Sequence, residues 1–278
     1  MDFLKMRGLG NDFIIVEARS WQEADSLQSL AKIMCDGHLG IGADALVAMG
    51  ADEELDIFVR VYNSDGLEPE LCGNAVRCAA HYAYAHKWVN KQDISVRTAA
   101  GVRHCAIQAS GHKIQAVRVD MGEPILENSL CPIMGEDHPI NFQVDTFDGK
   151  FDLTVVAMGN PHCIVFVPEL ELIPLSIWGP ALESHPIFPA ETEFVFVQVI
   201  SRQEIALRVW KKGNEITTRT CGTGACAALV AAVMGDRTER TAVIHAGEGD
   251  IGLEWNEEDN HVYMTGAAVE VFTGRIEV

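Results

Sequence analysis

The chain is short of positive charge. Its 278 residues include 21 lysines and arginines against 40 aspartates and glutamates, which gives a formal net charge of −19. Such an acidic chain is repelled by phosphate backbones and anionic lipid headgroups. We therefore expect neither a nucleic acid nor a membrane as its partner. A small anion can still bind at a local site, so a carboxylate substrate is not excluded.

The sequence also lacks long hydrophobic runs and paired cysteine motifs. The longest apolar run, around residues 226–234, is too short to span a bilayer, and the first ten residues contain no uninterrupted apolar stretch typical of a secretory signal. We expect a cytoplasmic location, where the eight cysteines are free thiols. No Cys-x-x-Cys motif occurs, so no metal site is expected. Most of the cysteines are then predicted to be small buried hydrophobic residues.

Strands outnumber helices in the predicted secondary structure. Three helices are predicted: one over about 25–35, one after Gly73, and one after Gly222 that stops at Gly235. Few helices among many strands predict an α+β fold rather than a regular βαβ alternation. Runs rich in valine, isoleucine and aromatic residues predict strands at 13–17, 56–62, 94–98, 114–119, 153–157, 163–167, 193–199, 205–210, 242–245 and 269–272.

An internal repeat divides the chain into two halves. In each half a Gly-Asn pair is followed by Arg-Val-aromatic and then by Cys-Gly at the start of an alanine-rich helix. Asn11 precedes Cys72 by 61 residues, and Asn160 precedes Cys221 by the same distance. The repeat predicts two similar halves, each of which delivers one asparagine and one cysteine-headed helix to a shared cleft.

The position of the two cysteines favours acid–base chemistry. Unpaired backbone N–H groups and the positive end of the helix dipole lower the pKa of a thiol at a helix N-terminus. Gly73 and Gly222 allow close approach of the backbone, and such a terminus can hold a carboxylate. Inversion of a carbon needs a thiolate on one face and a thiol on the other. His162 can tune a sulfur or be merely structural, and its spacing does not decide between these roles.

Other roles for the cysteines are less consistent with the repeat. A hydrolase needs one nucleophile, which gives no reason for two matched halves, and structural thiols alone do not explain the duplication. A redox pair would inactivate the site by oxidation. The glycine-rich segment around Gly8 and Gly10 does not match a dinucleotide-binding fingerprint, and no lysine stands out as a pyridoxal Schiff-base residue.

The motifs around these residues resemble those of the diaminopimelate epimerase family over nearly the whole chain. They are KMRGLGNDF at 5–13, HLGIGAD at 38–44, NSDG at 63–66, CGNAVRC at 72–78, MGNPH at 158–162, GP at 179–180, LESH at 182–185, CGTGAC at 221–226 and MTG at 264–266. The resemblance implies two pseudo-symmetric α/β halves, each a curved, barrel-like sheet around a central helix. We place these halves at 1–118 with 266–278, and at 119–265.

The resemblance also implies a cofactor-independent two-base epimerase that acts on a small-molecule amino-acid substrate and forms a homodimer. In this family the reaction converts LL- to meso-diaminopimelate for lysine and peptidoglycan synthesis. Cys72 and Cys221 correspond to the two bases, and His162 corresponds to the family histidine beside them. The substrate contacts implied by the resemblance are Asn11, Asn63 and Asn160 through their side chains, and Gly73-Asn74 and Gly222-Thr223 through a backbone seat for the α-carboxylate.

Departures from the family pattern cluster before the second cysteine. Lys211 stands where the family has glutamate, Lys212 where it has the arginine that grips the distal carboxylate, and Glu193 where it has asparagine. Lysine does not reproduce the bidentate fork of arginine. We interpret these three residues as determinants of substrate choice; the competing interpretation is that Lys211 takes the place of the missing glutamate near Cys221.

Three functions follow from this pattern. Diaminopimelate epimerase is the first hypothesis. A racemase of another amino acid, such as histidine, is the alternative, because Glu193 would attract a basic side chain. A catalytically inactive homologue that binds an amino acid is a third possibility, against which the intact Cys72 and Cys221 argue.

Overall fold

The computed structural model describes residues 1–69, 71–111, 113–126, 142–147, 149–188, 192–211, 213–216, 221–245 and 250–277. The chain divides into two compact units, Met1–Asp120 with Thr265–Val278, and Met121–Met264. The expected α+β class is confirmed, because strands far outnumber helices in both units. None of the helices in these ranges is long and apolar enough to cross a membrane.

The first unit surrounds a buried helix with strands. Its elements in chain order are β1 (Asp2–Gly8), β2 (Asn11–Glu17), α1 (Trp21–Ser26), α2 (Gln28–Met34), β3 (Ala45–Ala51), β4 (Ile57–Asn63), α3 (Gly73–Ala85), β5 (Asp93–Thr98), β6 (Gly101–Ser110) and β7 (Lys113–Asp120). Helix α3 packs against all of β1–β7, whereas α1 and α2 pack against β3 and β4. Ile14, Leu46 and Phe58 contribute to the core beneath α1 and α2.

The second unit has the same plan. Its elements are β8 (Phe142–Thr146), β9 (Gly149–Met158), β10 (Asn160–Phe166), a 3₁₀ turn (Leu170–Leu172), α4 (Leu175–Glu183), β11 (Glu193–Ser201), β12 (Glu204–Lys211), β13 (Asn214–Ile216), α5 (Gly222–Met234), β14 (Thr241–His245), β15 (Asp250–Trp255) and β16 (Val262–Gly266), which ends at the unit boundary. Helix α5 is buried from Thr223 to Ala232 and packs against β9–β12, β14 and β15. Helix α4 packs against β11–β13. The last strand, β17 (Val269–Arg275), belongs to the first unit and pairs antiparallel with β1.

Strand pairing follows the same order in the two units. The successive pairs of β1 to β6 are antiparallel, parallel, antiparallel, parallel and antiparallel. The successive pairs of β9, β10, β11, β12, β14 and β15 repeat that order. The pseudo-symmetry implied by the resemblance is therefore present within the pairing of each unit. It makes β2, β3, β4 and α3 equivalent to β10, β11, β12 and α5.

Several elements differ from the sequence-based expectation. Each of the ten predicted strands overlaps a strand, and the cysteine-headed helices begin at Gly73 and Gly222. The helix predicted over 25–35 is wrong as one helix, because the chain forms α1 and α2 on either side of Leu27. The elements that the sequence did not predict are α4, β1, β3, β6, β8, β13, β15 and β16.

Candidate functional site

The repeated glycine–asparagine pairs lie at turns that begin equivalent strands. Leu9 and Gly10 have φ angles of 50° and 86°, as in the two-residue hairpin turns with positive φ at both central positions, and they join β1 to β2. Asn11 is the first residue of β2. Gly159, with a φ of 97°, precedes Asn160 at the start of β10. Glycine adopts the larger positive angles of Gly10 and Gly159 without strain, so it favours the turn that places each asparagine.

Each of the two repeated cysteines is the residue immediately before a buried helix. Cys72 is the N-cap of α3 and Cys221 is the N-cap of α5, both in extended backbone conformation. Both residues are partly exposed, whereas the other five cysteines in the described ranges are buried. The N–H groups of the first helical turn therefore lie next to a sulfur in each unit.

A chain of hydrogen bonds connects the start of α3 with β2 in the first unit. Arg77 donates from Nη2 to Asn74 Oδ1 at 2.9 Å, and Asn74 donates from Nδ2 to Asn11 Oδ1 at 2.8 Å. Asn11 donates in turn from Nδ2 to Asp44 Oδ2 at 3.1 Å. The amide of Asn11 is therefore held on both of its polar atoms, which fixes its orientation.

Arg77 is a buried cation close to the N-terminus of α3. Its side chain is 0 % exposed, and its Nε donates to the backbone oxygen of Ala267 at 3.1 Å. Its Nη1 has no hydrogen-bond partner in the described part of the chain. Burial lowers the pKa of Arg77, and the charges that act in the opposite direction are those of three cysteines, Cys78, Cys72 and Cys105. A buried charge is costly unless it is compensated, so its position beside these sulfurs calls for a functional explanation.

The pKa of Cys72 is set by opposing influences within the first unit. Burial raises the pKa of the Cys72 thiol. The backbone N–H of Ala75, the charge of Arg77 and the backbone N–H of Asn74 lower it, and the charge of Asp44 raises it further. The protein therefore supplies both a cation and helix-terminal N–H groups to a thiolate at this position.

In the second unit the sulfur of Cys221 lies against a carboxylate. Cys221 Sγ donates to Glu193 Oε2 at 3.1 Å, contacts Thr223 Oγ1 at 3.3 Å and accepts from the Gly224 N–H at 3.3 Å. Burial and the charge of Glu193 raise the pKa of the Cys221 thiol well above its ordinary value, although Thr223 and the Gly224 N–H act to lower it. This environment favours the thiol.

Glu193 itself is held by three neighbours. Asn160 Nδ2 donates to Oε1 at 2.9 Å, the Lys211 ammonium forms a short ion pair with the same oxygen, and His162 Nε2 lies 3.4 Å from Oε2. Burial acts to raise the pKa of Glu193, but the hydrogen bond and charge of His162, together with Lys211, hold it well below the ordinary range. The buried carboxylate is thus ionised at neutral pH.

His162 is fully buried beside this carboxylate. Its Nε2 is 3.2 Å from Thr223 Oγ1, and that hydroxyl also contacts Cys221 Sγ. The ligand-type atoms of His162, Glu193 and Cys221 lie within 4.8 Å of one another, close enough to hold a metal ion. The ammonium of Lys211 already occupies one carboxylate oxygen and would repel a cation. The donor set therefore fits acid–base chemistry better than metal binding.

The structure collects most of the predicted site residues into two clusters. One, in the second unit, contains Asn160, His162, Glu193, Lys211, Cys221 and Thr223. The other, in the first unit, contains Asn11 and Asn74 at the helix that Cys72 caps. Asn63 is the last residue of β4, opposite Ala45, and Gly73 and Gly222 are the first residues of their helices. Lys212 lies outside the described residues.

Sequence reasoning assigned no role to two residues that are hydrogen-bonded to Asn11 and Asn74 in the first unit. Arg77 and Asp44 both lie inside motifs that were recognised, yet only the structure places their charges near Cys72. A signal for Arg77 was present: it is the single Asp, Glu, Lys or Arg residue of an otherwise apolar and polar-neutral helix. The corresponding helix α5 has none.

Two units with the same order of strand pairing form a fold that several solved structures share, among them a probable proline racemase and a hydroxyproline epimerase. The fold matches a probable proline racemase from Agrobacterium radiobacter with a TM-score of 0.73 and 14% identity, covering 100% of this chain and 93% of that one. It also matches a hydroxyproline epimerase from Agrobacterium vitis with a TM-score of 0.72 and 15% identity, covering 99% and 90%. At such identities these similarities concern the fold alone.

Comparison of sequences identifies the family to which the chain belongs. The family model described as diaminopimelate epimerase matches residues 3–127 and 154–271. The diaminopimelate epimerase of Moorella thermoacetica is 43% identical over 279 residues, covering 99% of this chain and 98% of that protein. The diaminopimelate epimerase of Methanococcus maripaludis is 42% identical and covers 100% of both chains. The chain belongs to the diaminopimelate epimerase family, and it is an isomerase.

Proposed function

We propose that the protein is a pyridoxal-phosphate-independent epimerase that inverts one α-carbon of diaminopimelate, from the LL to the meso form, with Cys72 and Cys221 as its two bases. The observation that carries the proposal is the duplicated cysteine at the N-terminus of a buried helix, with one copy in each unit. A single nucleophile would need only one copy.

The reaction removes one proton from the α-carbon and delivers one proton to it. A thiolate removes the α-proton from one face of the carbon and becomes a thiol. The opposing thiol gives its proton to the other face and becomes a thiolate. This proposal requires both sulfurs to reach the same carbon from opposite sides.

The α-carboxylate is proposed to bind at the helix N-termini. Backbone N–H groups in the first turns of α3 and α5, those of Gly73-Asn74 and Gly222-Thr223, would hold the carboxylate as negative charge spreads onto it. Asn11, Asn63 and Asn160 are the proposed side-chain contacts. The amides of Asn11 and Asn160 are already oriented by Asp44 and Glu193, so they would contact the substrate with little loss of side-chain entropy.

Diaminopimelate is favoured over a basic amino acid by the surroundings of Glu193. The alternative depended on a free negative charge that would attract an imidazole or ammonium side chain. In the second unit that carboxylate is instead occupied by Lys211, Asn160 and the sulfur of Cys221. Its charge is therefore engaged inside the protein, and the relatives' names point to the same substrate.

Incubation of the enzyme with LL-diaminopimelate in deuterium oxide tests this function. We expect meso-diaminopimelate with deuterium at the inverted α-carbon, because the delivered proton comes from a thiol that exchanges with solvent. Cys72→Ala and Cys221→Ala should each abolish inversion, and Cys226→Ala, which removes a buried thiol of α5, serves as the matched control. Inversion by either variant at close to the wild-type rate would refute the two-base mechanism. If the protein racemises histidine but not diaminopimelate, the substrate is misassigned.

We further propose that the enzyme works as a homodimer in the cytoplasm, with no nucleic acid or membrane partner. The net charge of −19 supports the last two points. Light scattering coupled to gel filtration measures the oligomeric state directly, and a monomer at working concentration would contradict the dimer.

A further inference from the structure

We propose that Arg60 and Arg208 are positioning residues, one in each unit, and that each restrains the segment leading to a catalytic cysteine by binding a glutamate of that segment. The inference rests on the proposed two-base function, because it concerns how the two sulfurs are placed for that reaction. It is carried by an arginine–glutamate pair that recurs at equivalent positions of the two units.

The two arginines are the first residues of the Arg-Val-aromatic motif that recurs in the internal repeat. Arg60 lies on β4, 12 residues before Cys72, and Arg208 lies on β12, 13 residues before Cys221. Strands β4 and β12 are equivalent in the pairing order of the two units. Each arginine therefore precedes its cysteine from the same place in the fold.

Each arginine binds one glutamate through two hydrogen bonds. Arg60 donates from Nε to Glu68 Oε1 at 2.8 Å and from Nη2 to Glu68 Oε2 at 2.6 Å. Arg208 donates from the same two nitrogens to Glu215, at 2.8 Å to Oε1 and at 3.0 Å to Oε2. Two parallel hydrogen bonds between a guanidinium and a carboxylate fix their relative orientation as well as their distance. The geometry of the pair is therefore the same in both units.

Both glutamates lie between the strand of their arginine and the cysteine-headed helix. Glu68 is four residues before Cys72, and Glu215 is six residues before Cys221. An extended chain covers at most about 14 Å in four residues and about 22 Å in six. A fixed glutamate therefore limits the volume that the backbone of the cysteine can reach.

Arg60 is anchored in turn by helix α1. Its guanidinium lies over the ring of Trp21, 4.7 Å from the centroid, and its Nη2 is 3.2 Å from Asp25 Oδ1. Its side chain is only 13 % exposed, so its pair with Glu68 is partly shielded from the water that weakens exposed ion pairs. Arg60 thus joins the segment before Cys72 to α1.

Arg208 has a corresponding anchor in the second unit. Its Nη1 donates to the backbone oxygen of Leu170, in the 3₁₀ turn, at 3.0 Å. Glu215 lies opposite Trp210 in the pairing of β12 with β13, so Arg208 and Glu215 are diagonal neighbours on one face of this hairpin. Lys211, one residue after Trp210, points to the other face, where it joins the cluster of site residues. The pair therefore holds the hairpin from outside the site.

The restraint reaches the sulfurs through the backbone, and neither arginine transfers a proton. The backbone oxygen of Cys72 accepts from the Val76 N–H at 3.0 Å, and that of Cys221 accepts from the Ala225 N–H at 2.8 Å. These bonds close the first turns of α3 and α5. Release of the preceding segment would let each turn open more often and would misplace its sulfur relative to the α-carbon. Such misplacement slows a reaction that depends on aligned groups.

Hydrogen exchange of the full chain without substrate measures this restraint. Glu68→Gln keeps the size of the side chain but replaces one acceptor oxygen with an NH₂ donor, which cannot accept from the guanidinium. We expect exchange of the Val76 amide to accelerate about tenfold and that of Ala225 to stay unchanged. Glu215→Gln should give the reverse pattern. Mass spectrometry with fragmentation to single amides follows the exchange.

Matched controls break other arginine–glutamate pairs of the same units. Glu23→Gln releases Arg19 in the first unit, and Glu257→Gln releases Arg240 in the second. Neither control should accelerate either first-turn amide. An unmoved first-turn amide in either test variant, or an acceleration spread evenly over every amide of its unit, would overturn the inference.

Combined variants test whether the two residues act as one pair. Arg60→Lys keeps the charge but loses the fork of the guanidinium, so it should also accelerate exchange of Val76. Adding Glu68→Gln to it should give exchange no faster than that of the faster single variant, because both changes remove the same contact. Wild-type exchange in Arg60→Lys, or multiplied effects in the double variant, would contradict the paired role. The lysine arm decides the matter even if Glu68→Gln fails to fold.

Turnover connects the restraint with the reaction. For inversion of LL-diaminopimelate we expect kcat to fall about tenfold in Glu68→Gln and in Glu215→Gln, with a smaller change in KM. The reason is that proton transfer depends more steeply on the position of a sulfur than binding of a carboxylate does. Accelerated exchange with unchanged kcat would overturn the positioning role.

The two measurements separate this inference from the function on which it rests. If the wild-type protein inverts no amino acid but its variants show the expected exchange, the epimerase function is refuted and the restraint stands. If the wild-type protein inverts diaminopimelate and the variants keep both their exchange and their kcat, the inference alone is refuted.

Discussion

Glu193 and Lys211 are interpreted differently once the structure shows that their side chains form an ion pair. Read as separate residues, they are determinants of substrate choice. In the fold they form one unit, in which Lys211 holds Oε1 of the carboxylate and Cys221 contacts Oε2. The resemblance places a glutamate at position 211 and an asparagine at 193. In this chain the carboxylate lies on β11 and contacts the sulfur of Cys221.

Lys211→Met tests whether this lysine acts through Glu193. Loss of the ammonium raises the pKa of the carboxylate, because the Lys211 charge is one of the influences that lower it. We expect kcat/KM to fall by about tenfold for every amino acid that the enzyme turns over. Lys150→Met, which removes an exposed ion pair with Asp145, should leave kcat/KM unchanged. A loss confined to diaminopimelate would show instead that Lys211 contacts the distal end of the substrate.

The two bases could be predicted from the sequence, but their environment could not. Cys72 and Cys221 are visible because the motif around them is duplicated at equal spacing. The contact of Glu193 with Lys211 depends on the register of two strands that are joined by a turn, and a shift of one residue would place the side chains on opposite faces. The effect of Arg77 on the pKa of Cys72 depends on the burial of both groups. The sequence does not predict this burial, because arginine is rarely buried completely.

At the scale of elements, helix α4 fixes the strand that carries Lys211. Gly179 in α4 faces the indole of Trp210 in β12, and a Cβ at this glycine would lie 2.2 Å from the ring. Glu183, at the end of the same helix, accepts a hydrogen bond from Trp210 Nε1 at 2.9 Å and another from the Gly213 N–H. Close contact between α4 and β12 therefore requires glycine at position 179.

Gly179→Ala should separate α4 from β12. The added methyl group has no space, so we expect the free energy of unfolding to fall by about 1–3 kcal/mol, as for other overpacked positions. Urea denaturation measures this change. Gly37→Ala is the matched control, because nothing lies within 4 Å of its added Cβ. If Trp210→Leu in the Gly179→Ala background does not recover part of the lost stability, the clash with the indole is not the cause.

The missed elements have individual physical reasons. Strand β1 contains Lys5, which is 8 % exposed and pairs with Asp12 at 3.0 Å, so a buried charge interrupts the apolar alternation that predicts strands. Helix α4 contains Gly179 and Pro180, both of which lower helix propensity, and tertiary packing overrides that preference. Helix α1 begins earlier than the predicted helix because the side chain of Ser20 caps it, accepting a hydrogen bond from the Glu23 N–H.

At the scale of the whole molecule, buried thiols are distributed through both units. Cys78 and Cys105 lie in the first unit and Cys226 in the second, all at most 2 % exposed. Burial raises the pKa of each thiol from 9.0 to about 12, and that of Cys35 to about 11. The unfolded chain therefore releases these protons at lower pH than the folded protein does.

Stability should fall as pH rises above about 9. Between the unfolded and folded pKa values the native state holds more protons, so each such thiol lowers the free energy of unfolding by about 1.4 kcal/mol per pH unit. Urea midpoints measured from about pH 8 to about pH 10.5 follow this loss. Cys226→Ala should make the slope shallower by about one such increment, whatever its effect at neutral pH. An unchanged slope would show that this thiol is not protonated in the native state above pH 9.

The pairing of β1 with β17 has a consequence for synthesis on the ribosome. β1 leaves the ribosome before the second unit does, and its antiparallel partner, Val269–Arg275, leaves after it. The residues of the second unit, Met121–Met264, form an uninterrupted segment between them. Because nascent domains fold as their residues become available, the second unit can complete its strand pairing while one edge of β1 still waits for a partner. The unit that begins first is therefore the one that closes last, and until then the nascent chain carries an open strand edge exposed to chaperones or to a neighbouring chain.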